Sequence, residues 1–455
     1  MQPIRLTSRA PGRPSAPAAP PRAGALAVAD APRLRRYRDY LDFYEGRHFP
    51  AARRGRTTLV VNYARAIVDK GVSFLIGRGI GFAVEGRGGE GAEALLYAVY
   101  DDNDLDAVDL ACALNAAVLG DGVYKVFWDA AAARLRVVSV DPLGFFARWA
   151  PDDLATLQQV DLTYSIGADD AAARYGVSPP ATPLGWSAPA GGPSVTVLET
   201  WTPATFRLEV GGVEVQAGPN PYGLIPFVHV PNLPGPNEFW GRSDLVDVIP
   251  LNRELDERMS DQADVIRYHA DPPVVFRGVE SHDSLTVGPG TVWDLPRDAD
   301  VKLLEWTGQP VAVQEHVNLV LRALYETAET PRTAFGDSGR LLSGVALETE
   351  LRPLIQRTLR KRIVWSAALR RRARLIWRIA EQVGLLAPGS TAGLRPRVIW
   401  PSMMPADDAQ EVQNQVALVA AGLRSHRTAM DLLGTETPEV ELERVRADRA
   451  ALERP

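Results

Sequence analysis

The sequence predicts an α+β protein with a strand-rich first half and a helical second half. Residues 119–232 contain short runs in which β-branched and aromatic residues alternate with polar ones, as in half-buried strands. Residues 241–270, 311–330 and 343–383 instead place apolar side chains three and four residues apart, which is the spacing of amphipathic helices. With 455 residues, of which 46% are hydrophobic, the chain is long enough for several domains and a substantial core.

Composition excludes several classes of protein. Lys and Arg number 50 against 56 Asp and Glu, and the net charge of -6 does not suit a protein that coats nucleic acid by neutralising phosphates. The single cysteine, Cys112, excludes a disulfide framework and indicates a reducing compartment. No stretch approaches the roughly eighteen apolar residues of a membrane span, and no secretory leader is recognisable. We therefore expect a soluble, unsecreted protein.

The first 81 residues are predicted to hold an arm, two helices and a turn. The run PGRPSAPAAPPRAGA lies in residues 1–30, which contain few large apolar side chains, so this segment is expected to be a disordered arm. Helical spacing predicts helices over 33–44 and 62–76. The glycines after the second helix lack the GxGxxG spacing and do not join a strand to a helix, so they indicate a helix end and not a dinucleotide loop: Gly77, Gly79 and Gly81.

The acidic stretch DDNDLDAVD has the alternating Asp102, Asp104 and Asp106 of a calcium loop. An EF-hand requires Gly at the position of Ala107 and Glu at the position of Ala113, so we interpret this stretch as the solvated start of a helix. Strands are then predicted in a hairpin over 119–140 and in the segments QQVDLTYS, VTVLETWTP, TFRLEVGG and PFVHVPN.

Two helices are predicted on either side of a small insert. In GRSDLVDVIPLNRELDERMSDQADVIRYHA the apolar residues from Val248 to Ile266 form one stripe, and Ser243 is the expected N-cap. Acids outnumber bases here, which predicts a strongly negative face formed by Asp244, Asp247, Glu254, Glu257, Asp261 and Asp264. The second helix is predicted over 311–330 from Val313, Val317, Val320, Leu321 and Leu324.

The insert at 271–310 is predicted to contain strands in VVF, TVWDLP and VKLLEW. A segment of about forty residues cannot bury several large apolar side chains by itself. Contacts beyond the single chain are therefore expected of Phe276, Trp293 and Trp306.

The stretch GDSGRLLSGVALETELRP contains the four letters that surround the nucleophilic serine of chymotrypsin-like proteases. None of the six histidines lies in a protease context, and a helix follows, so Ser338 is interpreted as a turn residue in a Gly/Ser loop. A long helix is predicted over 343–383, bent near 349–353 by Pro353. Its apolar residues repeat every four positions: Leu347, Leu351, Ile355, Leu359 and Ile363.

The long helix is also the basic part of the chain, with ten Lys and Arg residues between 352 and 378. In an acidic protein we expect these charges to pair with acids of the same or a neighbouring chain and not to bind DNA. A strand at RPRVIWP and a short helical domain follow. Its expected stops and caps are Gly422, Gly434, Ser425, Thr437 and Pro438.

These parts, in this order, resemble the portal proteins of tailed double-stranded DNA bacteriophages, especially the siphophage type. The resemblance is carried by NYARAIVDKGVSFLIGRG, LGDGVYKVFWD with VDPLGFF, GLIPFVHVPN with GRSDLVDVIPLNRELDERMSD, SGVALETELRPL, and PADDAQEVQN through GLRSHRTAMDLLG. It implies a portal fold with a wing over 31–240 and 345–402, stem helices over 241–270 and 311–331, a clip over 271–310, a tunnel loop over 332–344 and a helical crown over 403–455.

The resemblance also implies a role. Such proteins form a ring, a dodecamer in the virion, at one capsid vertex, and DNA enters and leaves through the central channel. The implied partners are further copies of the chain, the major capsid protein and scaffold, the terminase large subunit, a head-completion or adaptor protein, and the DNA itself. The implied location is the virion, with the host cytoplasm during assembly. The loop residues expected nearest to DNA are Asp337, Ser338, Arg340, Leu341 and Leu342.

An acidic stem face suits transit of DNA, because a lysine-rich channel would hold the phosphates. The chain lacks GxxxxGK[ST], so the nucleotide-driven motor must be another protein, and no enzymatic activity, metal or cofactor is expected. Two other classes stay open. A different ring-forming head-to-tail adaptor would have the same composition, and a metal-dependent DNA-processing enzyme would need acids that converge in a cleft.

Overall fold

The structure is a computed structural model that describes residues 22–49, 58–77, 79–177, 194–270, 274–277, 300–303, 310–336, 344–403, 408–435 and 438–452. It divides into two compact units, Met1–Ile399 and Trp400–Pro455. Helices and strands both make up the first unit, whereas the described elements of the second are helices. The predicted α+β class is confirmed at the level of mixed helix and sheet.

The first unit begins with helices. They are α1 (Arg22–Ala29), α2 (Ala31–Tyr44), α3 (Tyr63–Ile76), α4 (Glu90–Asp102) and α5 (Leu105–Leu119), with strand β1 (Gly81–Glu85) between α3 and α4. Asn62 caps α3, because its side chain accepts a hydrogen bond from the backbone N of Arg65 at 2.9 Å. The predicted helices over 33–44 and 62–76 are confirmed.

The predicted disordered arm over 1–30 is wrong for its last residues, which form α1. Arg22 donates to Glu209 at 3.2 Å. Ala23, Gly24 and Ala27 line a small cavity with residues of the neighbouring sheet. None of the residues of α1 is buried, so the helix contributes no large apolar side chain to the core. Residues 1–21 lie outside the described part of the chain.

Two antiparallel sheets follow. The first has the order β3-β2-β9, from β2 (Asp121–Asp129), β3 (Arg134–Ser139) and β9 (Phe227–Pro231). The second has the order β4-β5-β6-β7-β8, from β4 (Phe145–Ala150), β5 (Asp153–Gly167), β6 (Ser194–Trp201), β7 (Thr205–Val210) and β8 (Val213–Pro219), with α6 (Ala168–Tyr175) after β5. Residues of both sheets share a core of Val123, Phe145, Val160, Leu162, Trp201 and Phe227. The predicted hairpin and strands are confirmed.

The helical part contains α7 (Val248–Ala270), β10 (Val274–Arg277), β11 (Asp300–Leu303), α8 (Pro310–Thr327) and α9 (Gly344–Val383). Strand β12 (Arg395–Ile399) returns to pair with β1. Ser243 is not the N-cap of α7, which starts five residues later. Its hydroxyl instead accepts from the backbone N of Leu245 at 3.0 Å, within a turn that precedes the helix.

The predicted apolar stripe of α9 is correct only in its first part. Leu351 is buried, but Leu359 and Ile363 are 48% and 73% exposed. Four residues advance a helix by about 400°, so a repeat of four drifts by about 40° at each step and leaves the buried face. That face continues through Trp365, Leu369, Ile376 and Trp377. Pro353 lies inside α9, and the bend expected there stays a prediction.

The second unit consists of α10 (Asp408–Ala420), α11 (His426–Leu432) and α12 (Pro438–Leu452). Gly422 and Gly434 follow helices with φ of 69° and 81°, the left-handed conformation that glycine adopts without strain. Ser425 accepts from the backbone N of Thr428 at 3.2 Å, and Pro438 is the first residue of α12. These predicted stops and caps are confirmed, and Thr437 lies outside the described residues.

Arg372 connects α9 to α5 in the centre of the first unit. Its guanidinium is fully buried and forms a bidentate ion pair with Asp109, whose second contact is 3.1 Å long. The hydroxyl of Tyr124 donates to the same carboxylate at 2.7 Å, and the guanidinium lies 4.6 Å from the centre of that ring. The stretch DDNDLDAVD is thus a solvated helix start only up to Asp106, because Asp109 belongs to the core.

We predict that Arg372→Met destabilises the protein by about 3–5 kcal/mol, because it leaves the Asp109 carboxylate buried without a counter-charge. The measurement is the free energy of unfolding in urea. Arg370→Met is the matched control, since Arg370 is exposed on the same helix, and it should change stability by less than about 0.5 kcal/mol. Equal effects of the two substitutions would contradict the role given to the buried pair.

Candidate functional site

Helices α7 and α8 pack against each other, and the chain between them contains the antiparallel strands β10 and β11. The contact is apolar, with Leu255 of α7 facing Val317 and Val320 of α8. These three residues belong to the apolar helical stripes that the sequence predicts for the two helices. The predicted arrangement of two helices that flank a β-containing insert is confirmed.

Three of the four predicted acids on α7 are held by arginines of the same helix. Arg258 contacts Glu254 at 2.7 Å and Asp261 at 3.1 Å, and Arg267 contacts Asp264 at 3.2 Å. The hydrogen bonds from Arg258 and His316 lower the pKa of Glu254. Glu257 and the preceding Asp247 also keep contact with solvent. The face is therefore less negative than the sequence count implied.

Asp244 is a correction, because it does not belong to this face. It lies in the turn before α7 and is buried. Its carboxylate accepts hydrogen bonds from Arg357 at 2.9 Å and from Lys361 at 2.5 Å, both on α9. Asn232 donates to the same carboxylate at 2.8 Å. A sequence count of charges cannot separate this buried acid from its exposed neighbours.

The ionisation of this cluster is asymmetric. Burial by itself raises the pKa of Asp244, but the charges of Lys361 and Arg357 together outweigh it and lower that pKa to about 2. For Lys361 burial is the largest influence and lowers its pKa, since one carboxylate serves two cations. The carboxylate of Asp244 is thus better compensated by its surroundings than the ammonium of Lys361.

The same turn of α9 also holds the end of α8. Arg357 donates to the backbone O of Ala328, and Arg360 contacts the carboxylate of Glu329 at 2.5 and 2.7 Å. The start of α7 and the end of α8 are therefore fixed to one short stretch of α9. We call this stretch, residues 357–361 with its partners, the base clamp.

A second set of polar residues fixes α7 to the first turn of α3 and to the segment before it. Asn252, Asp256 and Ser260 lie four residues apart on one face of α7 and are buried. Their side chains accept from the backbone N of residues 64, 61 and 59, each at 2.9 Å. His48 also bonds Asp256. The regular spacing of Asn, Asp and Ser was a visible feature that apolar periodicity overlooked.

The basic residues of α9 divide by face. Four of them form ion pairs with acids of the same chain: Arg357, Arg360, Lys361 and Arg372. The predicted pairing with acidic neighbours is correct for these. Arg370, Arg374 and Arg378 are exposed.

The loop and the insert are described only in part. Residues Arg332–Phe335 form a 3-10 turn, and Gly336 ends it with φ of 86°. Phe276 lies in β10, opposite Val301. Trp293, Trp306 and the loop residues Asp337, Ser338, Arg340, Leu341 and Leu342 lie outside the described residues.

The described histidines nearest the core have structural partners. Besides His48, His229 bonds Asp121 at 2.6 Å in a buried contact that also includes Tyr37. No local pattern marks Asp121 or His229 as a buried pair, apart from a histidine between two valines in strand β9. Within the described ranges no group of three His, Cys, Asp or Glu could hold a metal ion. In the same ranges no helix has the length and apolarity to cross a membrane.

Comparison with known proteins gives one family. The sequence model of the family described as phage portal protein, SPP1 Gp6-like, matches residues 28–177 and 189–454. No curated protein matches the chain. A solved structure described as the neck of an empty GTA particle computed with C6 symmetry is similar to it, with 12% identity, coverage of 81% of this chain and 89% of that chain, and a TM-score of 0.46.

We predict a stability difference between the wild type and Asp244→Asn that depends on pH. Because folding lowers the pKa of Asp244 from 3.8 to about 2, its contribution is complete above pH 3.8 and is lost as the pH falls towards 2. The difference should be about 3–5 kcal/mol at neutral pH and should narrow below pH 4. Urea unfolding at several pH values measures it.

The control for this prediction is Asp247→Asn, which removes an exposed carboxylate three residues away. It should leave the free energy of unfolding within about 0.5 kcal/mol at every pH. A difference for Asp244→Asn that stays constant through the acidic range would contradict a charged, paired carboxylate.

Proposed function

The chain belongs to the phage portal protein family of the SPP1 Gp6-like type, and we propose that its ring encloses the channel through which phage DNA is packaged and ejected. Proteins of this family are structural. The chain is accordingly a ring-forming portal or head-to-tail connector at the capsid vertex of a phage particle. The observation that carries the proposal is the family match over nearly the whole chain.

Within this ring, α7 and α8 are the proposed stem, with residues 271–310 as the clip between them. The wing comprises residues 31–240 together with 345–402, residues 332–344 are the tunnel loop, and residues 403–455 are the crown. The order of α7, β10, β11, α8 and α9 supports this division. Through these parts the ring would contact the major capsid protein and scaffold, the terminase large subunit and a head-completion or adaptor protein.

The charges of α7 suit transit of DNA. Arg258 and Arg267 are already engaged by carboxylates of the same helix, so they are poorly available to neutralise phosphates. A channel wall whose cations are paired gives few phosphate contacts, and a duplex moves past it with little resistance. Arg253 is exposed on the same helix and lies 5.7 Å from the centre of the Phe43 ring, so two of the arginines of α7 are satisfied by acids of the helix.

The proposed tunnel loop starts at a fixed point. Gly336 closes the 3-10 turn, and the base clamp holds both α9 and the end of α8 nearby in the chain. The helices before and after this loop are therefore held in place independently of it. We propose that Arg340, Leu341 and Leu342 contact DNA and that Ser338 serves the turn, with no chemical role.

A ring-forming adaptor is the alternative within the same class of structural proteins. The length of the chain and its match to the portal family over residues 28–177 and 189–454 favour the portal. For an enzyme that processes DNA no supporting observation exists among the described residues, where the acids of α7 lie along a helix and are paired with arginines.

The proposed function predicts rings with a central hole in negative-stain electron micrographs of the purified protein. We expect the twelve-subunit form in filled heads, because the resemblance implies it. Plasmid incubated with the rings and Mg²⁺ should stay uncut. Monomers without rings, or metal-dependent cleavage, would contradict the portal assignment.

A second prediction concerns the tunnel loop. Deletion of residues 337–342 should allow rings to form and to bind terminase, yet reduce the DNA protected from nuclease inside filled heads. Ser338→Ala, the matched control, should package normally because no histidine is expected to activate its hydroxyl. If the serine variant fails and the deletion packages normally, the assignment of the loop is wrong.

A further inference from the structure

The outer side of α9 borders a groove of about 630 Å³. One wall is formed by Ile363, Ala367 and Arg374 of α9, and the opposite wall by apolar residues that include Leu157 and Phe239. Ile363 is 73% exposed although it lies on a helix whose other faces are largely buried. We call this feature the outer groove. An apolar groove of this size on a folded chain is a surface for binding another molecule.

The outer groove is positively charged. Arg371, Arg374 and Arg378 line it, whereas the one acid of its lining, Glu238, is 3.9 Å from Arg242. Among the described residues neither Arg374 nor Arg378 lies within ion-pair distance of an acid, although Arg378 interacts electrostatically with Glu381, whereas four other cations of α9 form ion pairs. Arg371 donates to the backbone O of His229 at 3.2 Å, and burial lowers its pKa. The groove therefore offers cations to a partner that carries carboxylates.

A complementary surface exists on the same chain. Asp101, Asp102, Asp104 and Asp106 are exposed around the junction of α4 and α5, and none of them forms an ion pair with a described residue. Leu110, one turn further along α5, is 47% exposed. We call these five residues the acidic corner. It combines carboxylates with an exposed apolar side chain, as the outer groove combines arginines with Ile363.

The two surfaces lie on different helices. Arg372 points from α9 to Asp109 of α5, and Ile363 precedes it by nine residues, which places Ile363 about 180° around the helix. On α5, the exposed residues Asp106 and Leu110 lie about 60° and about 100° around the helix from buried Asp109. The groove thus lies on the side of α9 away from the Arg372 to Asp109 contact, and the corner lies on a flank of α5. One chain cannot join them, but two copies can.

We propose that the outer groove of one subunit binds the acidic corner of the next subunit in the ring. This proposal rests on the proposed function, since a ring joins two different surfaces of the same chain in a head-to-tail contact. Arg374 and Arg378 would meet the aspartates, and Ile363 would pack against Leu110. The charges that α9 leaves unpaired within the chain are then paired between chains.

The test uses two charge-reversed variants. The groove variant is Arg374→Glu with Arg378→Glu, and the corner variant is Asp102→Arg with Asp106→Arg. Each alone should lower the fraction of protein in rings by roughly tenfold or more, because like charges meet at every contact. The fraction is measured by size exclusion with light scattering and by negative-stain micrographs. Arg395→Glu, an exposed arginine on β12 outside the groove lining, is the control and should assemble normally.

Mixing the two variants gives the decisive result. A groove variant beside a corner variant has opposite charges at both of its contacts, so the mixture should form rings in which the two variants alternate. Recovery of rings also shows that each variant is folded. A partner such as an acidic peptide or a nucleic acid in the groove would not give this recovery.

The outcomes separate the two proposals. If the wild type forms rings and both variants assemble as well as it does, the contact is wrong and the portal function is unaffected. If the variants fail to assemble and the mixture recovers no rings, the contact is likewise overturned. If the wild type itself forms no rings, the proposed function fails together with this contact.

Discussion

The structure depends on how the charged side chains of the forty-residue helix α9 are paired inside the protein core. Arg372, Arg357 and Lys361 of α9 are buried, and each is matched by a carboxylate that lies more than a hundred residues away in the chain. Burying a charge without a partner costs far more than a missing hydrophobic contact. A rotation of α9 by one residue, about 100°, would separate all of these pairs at once. The ion pairs therefore restrict α9 to one rotation about its axis. The sheets and helices around it pack against the faces that this rotation presents.

The fixed orientation of α9 also determines where the proposed stem helices lie, because the base clamp joins them to α9. Arg357 joins the turn before α7 to the end of α8, so the two helices start and finish at a common fixed point. In the chain, the strands β10 and β11 lie between the other ends of these two helices. The polar stripe of Asn252, Asp256 and Ser260 fixes a further face of α7. Two helices held at their base in this way keep their direction.

Much of the fold could be predicted from the sequence, because apolar residues repeat every two positions in a strand and about every 3.6 in a helix. Such repeats can be recognised from neighbouring residues alone. The strands β2, β3, β5, β6, β7 and β9 and both helices α7 and α8 followed from these repeats, whereas β4 and β8 were not predicted. The failures have a common cause. Asp244 was placed on an exposed face and Asp109 in a solvated helix start, because no local pattern shows which acid meets a cation from α9. The exposed position of Ile363 was missed for a geometric reason, since a repeat of four drifts off the buried face.

The basic residues of α9 also explain why an acidic chain carries such a helix at all. Charges paired inside one subunit are shielded from solvent and act on the fold, whereas Arg374 and Arg378 stay in contact with water. Interactions between exposed charges weaken over about 8 Å at physiological ionic strength, while buried pairs are screened much less. Salt should thus weaken contacts between copies before it affects the pair of Arg372 and Asp109. One helix in this way separates two functions by face: its inner charges determine how the chain folds, and its outer charges are available to determine how copies associate.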